Sequence, residues 1–128
     1  MACNDDDDGF GISFDDAGLV VKERTGNFDD IYNSVRTEIT NRGFTIVAEV
    51  DHSAAASGVG LTLRPTRLII FGNPQGGTQL MQEDQRIGID LPLKMLVYEN
   101  QDNEFNVAYY DGSTITDRYD VDVETVKD

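Results

Sequence analysis

Cysteine, histidine, basic side chains and long apolar runs are all scarce in this 128-residue chain. One cysteine, Cys3, excludes an internal disulfide and any site built on several thiolates. One histidine, His52, leaves any metal site to carboxylates, which suits weak Ca²⁺ or Mg²⁺ coordination rather than zinc. Neither a metal nor a cofactor is expected. No apolar run approaches the ~20 residues needed to cross a bilayer. Ten Lys and Arg stand against 24 Asp and Glu, a formal charge of −14, which argues against nucleic acid or anionic lipid head groups as partners. The stretch Gly72-Asn73-Pro74-Gln75-Gly76-Gly77-Thr78 lacks the Gly-Lys-Ser/Thr ending of a phosphate loop, so nucleotide hydrolysis is not expected. Ser53 beside His52 is no triad signal, because a nucleophile and base must converge in space with an orienting acid.

What is present suits one globular domain of ordinary size, at 39% hydrophobic residues. Residues 1–16 hold six acids and no base, with too few apolar side chains to offset ordering entropy. We therefore expect an acidic tether over 1–17, a single domain over 18–120 and an acidic tail over 121–128. The start Met1-Ala2-Cys3, followed by Asn4, four Asp and Gly9, resembles a mature bacterial lipoprotein cut just before its lipid-bearing cysteine. That resemblance implies lipidation at Cys3 and a place in the cell envelope or at the cell surface, with membrane contact only through the anchor. The alternative is a cytoplasmic protein with an acidic N-terminus and an incidental thiol.

Leu19 to Arg24 alternate as a half-exposed strand closed by Thr25-Gly26-Asn27. Asn27 is a good helix N-cap, and Asp29 and Asp30 in the first turn meet the positive end of the helix dipole. Phe28, Ile31, Tyr32, Val35 and Ile39 recur at helical spacing, and Gly43 supplies a left-handed stop. Phe44, Ile46, Ala48 and Val50 then mark a second strand, so strand, helix and strand permit a βαβ crossover. His52 to Gly60 reads as a short helix or loop, and Leu61 to Pro65 as extended chain. Arg67 to Phe71 reads as a central strand buried on both faces. Asn73 and Pro74 open a helix, with Thr78 a second start. Leu93 to Tyr98 and Phe105 to Tyr110 form a hairpin, and Asp111 caps a short turn through Ile115. The expected fold is α+β, a two-layer sandwich with a mixed sheet of about five strands.

Several ordered blocks carry a family resemblance: Asp51-His52-Ser53-Ala54-Ala55, Leu63-Arg64-Pro65-Thr66, Ile70-Phe71-Gly72-Asn73-Pro74, Gly77-Thr78 with Leu80-Met81, and Ile89-Asp90-Leu91-Pro92-Leu93-Lys94, with Tyr98 and Tyr109 in the hairpin. Over about residues 18–120 the chain resembles the bacterial and archaeal domain-of-unknown-function 302 family (DUF302). The resemblance implies a small α+β domain with helices on one face of the sheet and no established activity. Family members often carry Trp where Tyr98 stands, and His after the late arginine where this chain has Arg118-Tyr119.

Polar residues embedded in otherwise apolar blocks are the site candidates. His52, Arg64, Asn73, Thr78, Asp90 and Lys94 would line one pocket, provided the Asn73 corner lies beside the Asp51-His52 strand end. The structural alternative has Asn73 and Asp90 as caps and His52 bonded to backbone. Two functions follow. One is a non-catalytic module binding a small molecule or a protein, homodimeric through an exposed strand edge. The other is an enzyme using Asp51 and His52 as an acid–base pair on an anionic substrate steered by Arg64 and Lys94.

Overall fold

The computed structural model describes residues 12–14 and 18–119. Its strands are β1 (Ile12–Phe14), β2 (Leu19–Arg24), β3 (Thr45–Asp51), β4 (Thr66–Gly72), β5 (Leu93–Glu99) and β6 (Phe105–Tyr110). Its helices are α1 (Phe28–Asn41), α2 (His52–Gly58), α3 (Pro74–Glu83) and α4 (Gly112–Arg118), with a 3₁₀ segment at Gln85–Asp90. The sheet order is β1-β2-β6-β5-β4-β3 and every ladder is antiparallel. The α+β class stands as expected, but the sheet is not mixed. Four antiparallel steps separate β2 from β3, so those two strands run the same way without pairing. The crossover through α1 therefore spans the sheet instead of joining neighbours. β1 lies inside the stretch expected to be a tether, paired to β2 from Ile12↔Lys22 to Phe14↔Val20.

Helix α1 forms for the reasons visible in its residues. The Asn27 side chain accepts from the amides of Asp29 at 2.8 Å and Asp30 at 3.2 Å, satisfying two donors that the helix itself cannot. Gly43 sits at φ +90°, where a Cβ would be strained, and turns the chain into β3. The helix lays Ile31, Tyr32, Val35 and Ile39 on Ile69 and Phe71 of β4, Val97 of β5 and Val107 of β6. Phe44 meets Phe71 edge-on at 5.2 Å between ring centres. Burial of each such aliphatic side chain contributes about 1.5–3 kcal/mol, so this one layer is of the order of the domain's whole net stability.

β4 is the second strand from the edge, not the central one. Ile69 and Phe71 are buried toward α1, while Leu68 and Ile70 on the other face are only half-buried. Register aligns Leu68 with Leu96 and Leu96 with Ala108, which makes a second apolar row behind the sheet. α3 runs unbroken from Pro74 through Gly76-Gly77, because the Asn73 cap and Pro74 start it before Thr78. A Cβ on Gly77 would lie 3.4 Å from Leu91 Cδ1, so its bareness lets α3 settle on the chain leading to β5.

Candidate functional site

Strand register sends the expected site residues to opposite ends of the sheet. Asp51 pairs with Arg67 and Thr45 with Gly72, so the Asp51-His52 end and the Asn73 corner sit at the two ends of β4. A strand of this length separates them by about 20 Å at ~3.3 Å per residue. The single pocket joining His52 to Asn73 does not form, because an antiparallel partner puts the end of β3 beside the start of β4.

At the α2 end the polar groups are consumed by structure. The Asp51 carboxylate caps α2, accepting from the Ala54 amide at 2.9 Å and the Ser53 hydroxyl at 2.7 Å, and lies 3.4 Å from Arg67 Nε. The Ala54 amide and then the Ser53 hydroxyl hold it below the usual carboxylate range. His52 opens α2 with its side chain exposed, and among the described residues it makes no side-chain hydrogen bond. Arg64 instead fastens the β5–β6 turn, donating to Asn103 Oδ1 at 2.8 Å and the Gln101 carbonyl at 3.4 Å, and pairs with Glu99. Nearby, the buried Tyr32 hydroxyl donates to Glu49 Oε1 at 2.5 Å, and Arg36 grips the same carboxylate at 3.0 and 3.3 Å. Burial, then the bond to Glu49, pushes the Tyr32 phenol well up, while the Tyr32 hydroxyl holds Glu49 down. Arg67 lies over the rings of Phe28 at 5.3 Å and Tyr32 at 5.1 Å.

The α3 end holds the other candidates. Asn73 caps α3, accepting from the amides of Gln75 and Gly76, and Thr78 is an exposed residue within that helix. Asp90 is no cap. Its carboxylate accepts from the Tyr119 hydroxyl at 2.7 Å and Arg118 Nη1 at 2.9 Å, which ties α4 to the 3₁₀ segment. Those two groups, the hydroxyl first, with Lys94 adding its charge, hold the Asp90 carboxyl down. Arg86 pairs with Asp84 at 2.7 Å and lies over the Tyr119 ring at 5.6 Å.

Another opening, a hollow of about 1250 Å³, is lined by α1 with β2, β5 and β6 and by α4, and takes in residues from both faces of the sheet. Ile31, Val35, Met95, Val107 and Tyr109 give it an apolar lining. Lys22, Arg24, Arg42, Lys94 and Arg118 give it cations, against the acids Asp30, Glu38 and Asp90. Arg42 is paired with Glu38 and Arg118 with Asp90, whereas Lys22, Arg24 and Lys94 make no ion pair among the described residues. Lys22 Nζ sits 5.5 Å from the centre of the Tyr109 ring. Of the six expected ligand-binding residues, Asp90 and Lys94 line this cleft, and His52, Arg64, Asn73 and Thr78 do not. Lys22, Arg24 and Arg118 escaped the sequence reading because each looks like an ordinary surface charge until β2, β6 and α4 are brought together.

The sequence model of the domain of unknown function DUF302 matches residues 20–128. The chain is 38% identical over 104 residues to a Brucella suis protein named fluoride-specific ion channel FluC 1, covering 81% of this chain and 41% of that protein. It is equally 38% identical to a Brucella abortus protein of the same name, covering 38% of its length. The chain thus spans about two-fifths of the curated relatives it matches. A crystal structure of an uncharacterised conserved DUF302 protein from Bacillus stearothermophilus shares the fold at a TM-score of 0.75, covering 84% of each chain at 15% identity.

Proposed function

From the premise that this chain belongs to the DUF302 family, we propose that it is a non-catalytic binding domain that takes a small, partly apolar anion, such as an aliphatic carboxylate, in the cleft beneath α1. One observation carries this reading. Among the described residues, five of nine basic side chains line the hollow with three of 14 acids, so positive charge gathers around an apolar lining. Of the five, Lys22 and Arg24 make no ion pair among the described residues and share the α1 face through their register with Val107 and Phe105. The acid–base alternative has less to stand on, since Asp51 spends its oxygens on a helix cap and Arg67, with nothing shared with His52.

The test is thermal melting with sodium octanoate, acetate, fluoride and chloride at equal ionic strength. Octanoate is expected to raise the midpoint in a saturable way, and Lys22→Ala with Arg24→Ala to abolish the rise. No saturable rise, or a rise indifferent to those substitutions, defeats the reading. The fluoride arm covers a second reading, a role beside a fluoride channel, which the named relatives favour. A bare halide calls for a small dry site, and a cleft of about 1250 Å³ suits a larger anion. An envelope location with lipid on Cys3, which lies outside the described residues, belongs to the same proposal. It predicts that Cys3→Ser moves the protein from the membrane to the soluble fraction of its host.

A further inference from the structure

Helix α2 buries none of its seven residues, although an isolated helix of that length is unstable in water. The chain that follows is equally bare: Val59 is 73%, Leu61 65% and Leu63 47% exposed. With Val47 on β3, four of the six large hydrophobic side chains exposed among the described residues fall within residues 47–63. Residues 52–63 contain no Asp, Glu, Lys or Arg, in a chain that is 27% charged. The two acids of β3 are each met by an arginine of the same chain, Glu49 by Arg36 and Asp51 by Arg67. Among the described residues β3 is the last strand of the sheet and pairs only with β4.

We infer that this margin is where a second copy of the chain docks, α2 and the 59–63 segment of each copy packing on those of the other about a two-fold axis. Charge selects the occupant. Two molecules of −14 repel over most of their surfaces and can close only where neither presents net charge, and this is such a surface. A two-fold contact also needs a patch that complements itself, which an uncharged apolar patch does and a charged one does not. The Ala and Ser side chains of α2 allow close approach of two helices. The contact is made by side chains and not by a longer ladder, because β3 has an irregularity between Ile46 and Ala48 that spoils edge-to-edge pairing. The patch has about half the ~20–30 residues per side of a standard stable interface, so the dimer forms with rising concentration and is not obligate. This inference is independent of the anion-binding reading.

Sedimentation velocity of the full chain from micromolar to millimolar concentration tests it. The mass is expected to rise from that of one 14.2 kDa chain toward two, and to do so at lower concentration as added salt screens the repulsion. Leu61→Asp with Leu63→Asp, and separately Ala55→Arg, should hold the protein monomeric at every concentration with an unchanged far-ultraviolet spectrum. These positions are exposed, so folding is not at issue for Ala55→Arg even if the double variant is impaired. A wild-type chain that stays monomeric at millimolar concentration overturns the inference, as does a folded Ala55→Arg protein that dimerises like wild type.

Discussion

The molecule contains the same three-part device twice. Tyr32, Glu49 and Arg36 join α1 to β3, and Tyr119, Asp90 and Arg118 join α4 to the 3₁₀ segment. In both, a tyrosine hydroxyl and a guanidinium share one carboxylate. Depth separates them. Tyr32 is only 6% exposed, and burial is the first cause of its raised pKa. Tyr119 lies nearer solvent, and there the bond to Asp90 comes first. The lesson is that identical bonding does different work according to how much water it excludes. The first device is part of the packing of the helix on the sheet; the second is a tie at the mouth of the cleft.

The widest gap between them is expected on removing the rings. Tyr32→Ala should cost about 3–5 kcal/mol of unfolding free energy, as for other large buried aromatics, measured by urea denaturation. Tyr119→Ala should cost much less, and equal losses would break the distinction. A middle-sized effect concerns pH. Glu49, Asp51 and Asp90 titrate below their ordinary values of 4.5 and 3.8, so their stabilisation is present above that range and is lost as pH falls through their folded-state values. Urea midpoints should therefore drop on acidification below about pH 4, and Glu49→Gln should blunt that drop more than Asp90→Asn. At the alkaline end the sign reverses. Tyr32 titrates above its ordinary 10.0, so its stabilisation is complete below that value and is lost as pH rises beyond it. Absorbance of tyrosinate should show Tyr119→Phe removing a step displaced above the ordinary tyrosine range by the bond to Asp90, and Tyr32→Phe removing one coincident with unfolding. The smallest effect sharpens the comparison at the cleft: Asp90→Asn should barely move the melting midpoint yet strengthen octanoate binding, by freeing Arg118.

α1 could be read from its residues because its signals are local. Five apolar side chains at helical spacing, a capping Asn27 and a left-handed Gly43 lie within a few residues of the bonds they control. The caps at Asn73 and Asp111 were legible for the same reason. Asp90 looked like another cap, but its partners lie 28 and 29 residues onward, and no spacing rule connects them. The cleft was illegible for a stronger reason. Lys22 and Tyr109 become neighbours only through the β2–β6 register, and the register of a strand several positions away in the sheet leaves no mark in its own sequence.

The chain alone determined its class, its helix starts, most of its strands and the family it resembles, all set by interactions that span a turn or a pleat. Tertiary structure alone decided that β3 lies at the margin and β6 in the middle, and so which charges meet. Pairing order is a choice among distant segments with similar apolar faces, settled by how they pack together. That packing put Asp51 and Asn73 at opposite ends of one strand and set Lys22 and Arg24, which make no ion pair among the described residues, beside a hollow.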